Sequence, residues 1–473
     1  MPHHVRRGAT ALLAAAVALT GLVATGSTSS AAPPVPKPRY TIEDPAGTYA
    51  DNCATRTGTL TPLPGAGGPS RVVSGIAGGA SYQIEVPASW NGELVLYAHG
   101  FNGDGTRLCV QQPALRAYYL SQGYAWAASS YATNGYDVAQ GVKDTHRLLG
   151  VFQREVAMPH RVYLTGVSMG GHITAVAIEQ YRSAFDGAMP VCGVLGDSEL
   201  FDYFLDVNVT AAALAGAPKP PFPTTPAAYT TYVNTQVAPQ LGVYGGKPPL
   251  APVSAAGQAW GEAVQQLSGG PRPGFDASFS FWNAFGFGAL PNVPFLFGVY
   301  PGLTGGTIGQ SQGSVVGNTG TVYQLDSDPA VSPAEVGLNA AVLRVAEAPQ
   351  GRRAQGLAGI PVISGDLRIP VLTLHDLGDL FVPFSMEQVY ARRVAAHGDS
   401  ALLTQRAIRG TDHCDFTAAE MIRGFSDLVA QVETGVKPAG DDVLTPSVLA
   451  APTYGCRFTT AVRAPFFPAC PPA

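Results

Sequence analysis

Between Arg161 and Tyr181 the chain passes from a strand-like run, Arg161-Val162-Tyr163-Leu164-Thr165, through Gly166-Val167-Ser168-Met169-Gly170-Gly171 into a helix-like stretch of small residues, His172 to Tyr181. A strand that enters a helix through so few residues must turn sharply, and the flanking glycines Gly166 and Gly170 let that turn close. Ser168 stands at its apex. A serine hydroxyl is a poor nucleophile at its ordinary pKa, so a turn that presents it to a base and to backbone N–H groups is a chemical device as well as a constraint on the fold. The segment reads as a nucleophile elbow.

Pattern alone would not select it, because 56 of the 473 residues are glycine and Gly-x-Ser-x-Gly recurs at Gly309-Gln310-Ser311-Gln312-Gly313. That second match lies in a Gly/Ser/Thr/Gln stretch with no apolar strand before it and no helix-period segment after it, so Ser311 is expected in a loop.

The length suits one large domain with an insertion, or two domains, and a hydrophobic content of 46% supports a sizeable core. Charged residues are only 13% and the formal net charge is -5. No basic face is available for phosphate backbones or anionic lipid, which excludes nucleic acid as a partner. Residues 1–32 read as a secretory signal: a basic start with Arg6-Arg7, an Ala/Leu/Val run from Ala9 to about Ala24, and small residues up to Ala31 and Ala32. The apolar run is short for a membrane span and lacks a basic stop, so no stable membrane anchor is expected. Six cysteines, an even set in a chain bound for an oxidising compartment, imply three disulfides. Cys456 and Cys470 are expected to staple the C-terminal tail, Cys53 to reach Cys109, and Cys192 to join Cys414. The sequence carries no signal for an oligomeric state.

Residues 33–69, rich in Pro, Gly and Thr, are expected to be an irregular extension. A first core half, 70–195, then alternates strands (Arg71 to Ile76, Ser81 to Val86, Glu93 to Ala98, Tyr124 to Ser129, Arg161 to Thr165, Ala188 to Val194) with helices (Pro113 to Gln122, Val138 to Glu155 and the stretch behind Ser168). That alternation predicts an α/β fold, a mostly parallel sheet flanked by helices. The rhythm breaks over 196–365, too long for a structureless loop and therefore expected to be an inserted cap or lid domain. It ends in a helix from Ser332 to Ala348. Its aromatic run, Phe275, Phe279, Phe281, Trp282, Phe285, Phe287, Phe295 and Phe297, suits the insertion's own core first and a substrate-facing wall second. A second core half, 366–437, supplies a strand at Ile369 to His375, a helix at Met386 to His397, a strand at Leu402 to Ile408 and a helix at Phe416 to Glu433. A Pro-rich tail, 438–473, follows.

A nucleophilic serine needs an imidazole to take its proton and a carboxylate to hold that imidazole. His413 sits in the loop after the final strand, downstream of the acids that follow the preceding strand. Ser168, Asp379, His413, with Gly166-Val167-Ser168-Met169-Gly170-Gly171, His99-Gly100-Phe101 and Asp379-Leu380-Phe381-Val382-Pro383, resembles the α/β-hydrolases of the esterase, feruloyl esterase and polyester depolymerase group over roughly 70–195 and 366–437. The resemblance implies Asp379 as the acid, in that group's Asp-x-x-Val/Ile-Pro turn, with Asp376 as its rival. It also implies an oxyanion hole from the backbone N–H groups of Phe101 and Met169, each donor worth about 100 to 1,000-fold in turnover. His99 is expected to brace its loop, and Asp412 and Asp415 to be solvated or to cap the loop. The function expected is a secreted serine hydrolase that cleaves a small-molecule or polymeric carboxylic ester with an apolar or aromatic acyl group, without metal or cofactor. A secreted peptidase of the same fold and a non-catalytic surface-binding protein on a hydrolase scaffold are the alternatives.

Overall fold

In the computed structural model, which describes residues 40–42, 60–243, 254–284, 290, 292–352, 359–463 and 466–472, eight strands form one central sheet. In chain order they are β1 (Arg71–Ala77), β2 (Ala80–Val86), β3 (Glu93–Ala98), β4 (Ala125–Ser129), β5 (Arg161–Val167), β6 (Gly187–Val191), β7 (Val371–Asp376) and β8 (Leu403–Ile408). They lie in the order β1-β2-β4-β3-β5-β6-β7-β8. The β1/β2 and β2/β4 pairs are antiparallel and every later pair is parallel. The expected signal segment, most of the N-terminal extension, Cys53, Phe285 and Phe287 lie outside the described residues.

Strand periodicity separates two apolar layers. Leu94 and Leu96 of β3 face a core shared with α2 (Val138–Glu155) and α3 (Met169–Gln180), whereas Val95 and Tyr97 face a core shared with α1 (Arg116–Ser121) and the last long helix, Ala418–Thr434. Local chemistry sets the helix starts. The Asp137 carboxylate accepts from the Gln140 N–H at the head of α2, and Thr417 with Glu420 forms a capping box before Ala418–Thr434. Because β5 to β8 run parallel, the segments that follow them gather along one rim of the sheet.

Several boundaries differ from the sequence expectation, three of them for a clear local reason. β5 runs on to Val167, since Gly166 and Val167 pair with Pro190 and Val191. β6 stops at Val191, where Cys192 takes φ 44° and leaves the sheet. The helix expected over 332–348 covers only Pro333–Ala341, because Val342 is extended and buried.

Among the described residues the segment between β6 and β7 holds irregular stretches and helices, including α4 (Glu199–Leu214), α5 (Ala255–Leu267) and α6 (Phe275–Ala284). It does not stand apart as a unit: Tyr40–Ala473 forms one compact body, and the buried cluster that holds Leu94 and Leu164 continues into Val209, Trp260 and Trp282. The aromatic run supplies that continuation, with Trp260 stacked on Phe297 at 5.2 Å and edge-on to Phe279 at 5.0 Å. Among the described residues no helix is long and apolar enough to cross a membrane.

Asp206 on α4 is buried and accepts the Tyr323 hydroxyl at 2.6 Å. Burial pushes its carboxyl up to about 8; the Tyr323 hydrogen bond pulls it back and the neighbouring Asp202 charge adds to the rise. A carboxyl raised in the folded state favours folding fully below its unfolded value of about 4, and that contribution is lost as pH climbs through the folded value. Asp206→Asn is therefore expected to raise the thermal midpoint by several degrees near pH 8, with the gain shrinking toward nothing near pH 4. Scanning calorimetry across that range checks it; an equal gain at both ends would mean that Asp206 is not the titrating group.

Candidate active site

Ser168 joins β5 to α3 with φ 57° and ψ −122°, a backbone region that costs a non-glycine residue about 1–3 kcal/mol. Hydrogen bonds hold it there: its N–H donates to Val191 O at 3.0 Å and its carbonyl accepts from the Gly171 N–H at 2.8 Å. The flanking glycines are required by close approach. A Cβ on Gly166 would stand 2.1 Å from Gly170 O, and one on Gly170 would stand 2.1 Å from Ala98 O.

The acid enters from the turn after β7. Asp379 is fully buried; its Oδ1 accepts the N–H groups of Phe381 and Val382, both at 2.9 Å, which leaves Oδ2 for the His413 Nδ1–H at 2.6 Å. On the other side of the ring, His413 Nε2 is 2.8 Å from Ser168 Oγ. With the proton on Nδ1, Nε2 is free to accept the serine O–H. Three residues from three separate loops thus share one line of hydrogen bonds.

Asp376, the rival acid, is not the carboxylate hydrogen-bonded to the ring. It is fully buried under the histidine loop, where its Oδ2 accepts the Asp415 N–H at 2.8 Å. Burial, with the Asp379 and Asp415 carboxylates nearby, pushes its carboxyl far above the usual range. Asp412 accepts the His413 backbone N–H at 2.7 Å, and Asp415 pairs with Arg463 at 2.9 Å. His99 donates from Nδ1 to Gly100 O at 2.7 Å and stacks on Tyr131 at 4.0 Å. Burial pulls its pKa down to about 4, so it is a neutral brace at neutral pH.

The His99-Gly100-Phe101 loop lies against the serine, since a Cβ on Gly100 would be 3.2 Å from Ser168 Cβ. Met169 opens α3, and the first N–H groups of a helix have no intrahelical acceptor. Ser311 lies in the expected loop, donating its hydroxyl to Gly351 O at 2.8 Å. Cys192 and Cys414 form a disulfide with a Cα–Cα distance of 5.4 Å, which ties the end of β6 to the residue after His413. A second disulfide, Cys456–Cys470, closes the tail. The expected partner of Cys109, Cys53, is outside the described residues.

Sequence reasoning assigned no role to the tail beyond its staple. In the structure, Phe466 O accepts the Thr411 hydroxyl at 2.8 Å, and Arg463 donates to Asp415 O at 2.6 Å and to Glu420 at 2.7 Å. A cleft of about 590 Å³ opens beside the ring, with Phe281, Thr411, Asp412, His413, Arg463 and Phe466 in its walls. Phe381 meets the His413 ring edge-on at 5.1 Å and Phe295 at 5.3 Å, so the insertion's aromatic core reaches the site.

A sheet in the order 1-2-4-3-5-6-7-8, with a strained serine after its fifth strand, an acid after its seventh and a histidine after its eighth, decides the architecture. This is the α/β-hydrolase fold. No protein-family model matches the chain. Over 409 residues this hydrolase-fold chain is 22% identical to the o-phthalyl amidase of Xanthobacter agilis, an alignment that covers 76% of this chain and 87% of that protein. Among solved structures it is similar to feruloyl esterase B from Aspergillus oryzae, with 15% identity, a TM-score of 0.45 and coverage of 84% of this chain and 86% of that one. It is also similar to the tannin acyl hydrolase of Aspergillus niger, with 14% identity, a TM-score of 0.46 and coverage of 78% and 79%.

Proposed function

We propose that this protein is a secreted serine hydrolase that cleaves carboxylic esters through an acyl-enzyme. One observation carries the reading: the unbroken line from Ser168 Oγ through both nitrogens of His413 to Asp379, at 2.8 Å and 2.6 Å. Ser168 Oγ attacks the ester carbonyl carbon while its proton passes to His413 Nε2. The carbonyl oxygen, now an oxyanion, turns toward the N–H groups of Phe101 and Met169. Collapse of the adduct expels the alcohol, which takes the proton from Nε2. Water then attacks the acyl-enzyme by the same route, and the acid is released with Ser168 regenerated. These groups carry every proton and electron pair of the cycle, so it calls for no metal or cofactor.

Phe281 and Phe466 in the cleft walls, with Phe381 against the His413 ring, support an apolar or aromatic substrate, and the N-terminal segment together with the two disulfides supports secretion. Amide cleavage is the second reading, favoured by the similarity to an amidase over most of the chain.

Hydrolysis of p-nitrophenyl esters from acetate to octanoate and of methyl ferulate, beside matched anilides, tests both. Ester turnover with a chain-length optimum is the expected result. Turnover confined to anilides would transfer the assignment to the amidase or peptidase reading. Failure of the serine to react with a fluorophosphonate probe would leave only the non-catalytic scaffold.

A further inference from the structure

Trp282 lies on α6, far in sequence from the three residues of the candidate site, yet its indole Nε1–H donates at once to Gly378 O at 2.9 Å and to Thr411 O at 3.0 Å. Gly378 immediately precedes Asp379, and Thr411 stands two residues before His413. One buried N–H therefore bridges the acid turn and the histidine loop.

The bridge belongs to a larger pattern. Donors from the insertion also reach the acid turn on either side: Arg272 Nε–H bonds Leu377 O at 2.6 Å and the Tyr203 hydroxyl bonds Leu380 O at 3.1 Å. The two loops touch directly as well, through Gly378 N–H to Gly410 O at 2.8 Å. There is no slack at that point, since a Cβ on Gly378 would lie 2.1 Å from Ser278 Oγ of α6 and 2.6 Å from Gly410 O. Where buried loop carbonyls gather, a donor shared between them sets their separation.

We propose that Trp282 is a positioning residue: its shared hydrogen bond sets the distance between the acid turn and the histidine loop, and so the Asp379–His413 alignment depends on the inserted helices. The assignment of Asp379 and His413 as acid and base underlies this inference. If it is correct, the insertion is part of the catalytic frame, and α6 stays seated during turnover.

Trp282→Phe keeps an aromatic ring against Phe295, 4.7 Å away, and removes the donor together with part of the indole's volume, a loss of volume that the control shares. Trp260→Phe is the control. Trp260 is also buried in the insertion, but its N–H donates to Val207 O at 3.0 Å and to neither catalytic loop. Two readouts are taken on the full chain, ester kinetics and the far-downfield proton resonance of the His413–Asp379 hydrogen bond. Trp282→Phe is expected to lower kcat by about 10 to 100-fold, with KM changed less than about threefold, and to shift or broaden the resonance. Trp260→Phe is expected to lose thermal stability to a similar degree while keeping kcat within about threefold and the resonance in place.

Equal kcat losses in the two variants, or an unmoved resonance in Trp282→Phe, would overturn the proposal. Should Trp282→Phe not fold, Tyr203→Phe, which removes a single α4 hydroxyl that donates to Leu380 O of the acid turn, decides in its place by the same two readouts. A wild-type protein that shows the resonance but hydrolyses none of the substrates would count against the proposed ester activity and leave the positioning role to be decided by the resonance alone.

Discussion

Ser168→Ala is expected to lower kcat on any ester the wild type turns over by about a millionfold, to the level left by the binding site and oxyanion donors alone. The size of the loss follows from what the hydroxyl does. Without Oγ no acyl-enzyme forms, and water, unaided by the elbow, must attack a carbonyl placed to meet the serine. Little else should change. Alanine inherits the same φ of 57°, the backbone bonds to Val191 and Gly171 remain, and His413 is partly exposed, so its Nε2 regains a partner from solvent. Steady-state kinetics, a thermal melt and fluorophosphonate labelling check this together. A variant that melts like the wild type, is not labelled and is inactive is the expected outcome. One that retains more than about a hundredth of wild-type kcat would remove Ser168 from the mechanism.

Asp379→Asn is expected to cost about 10,000-fold in kcat. Asp379 Oδ1 is held by the Phe381 and Val382 N–H groups, so an asparagine there keeps its carbonyl oxygen on those donors and turns its NH2 toward His413. A donor facing Nδ1 forces that nitrogen to accept and sends the ring proton to Nε2, where the serine proton has to go. Asp376→Asn makes the contrast. Its carboxyl is already pushed far up by burial, and the amide oxygen can still accept from the Asp415 N–H, so kcat should fall by less than about tenfold. Kinetics of the two variants side by side decide the acid, and the reverse order of losses would assign it to Asp376.

The nearness of these two aspartates shows where sequence reading thins out. Asp376 ends β7 and Asp379 lies in the turn three residues on, and nothing in composition or periodicity separates them; the Asp-x-x-Val-Pro turn pointed to Asp379 only by resemblance. The fold separates them by direction, one carboxylate aimed at the imidazole and the other bonded to the Asp415 N–H of the histidine loop. The same holds for α6. Its aromatic run marks a buried helix, but no local signal tells that one indole among those rings would span two loops that come much later in the chain.

The sequence by itself determined the strand–turn–helix around Ser168 and the mostly parallel sheet flanked by helices, because each depends on short-range rules: alternating apolar residues, capping groups, and glycines where backbones meet. Only the tertiary structure decided which carboxylate faces His413, that the tail braces the histidine loop through Arg463 and Phe466, and that the insertion shares the core of the sheet. Those are contacts between segments tens to hundreds of residues apart, set by how helices and loops pack on the central sheet, and packing leaves no periodic mark in the sequence that produces it.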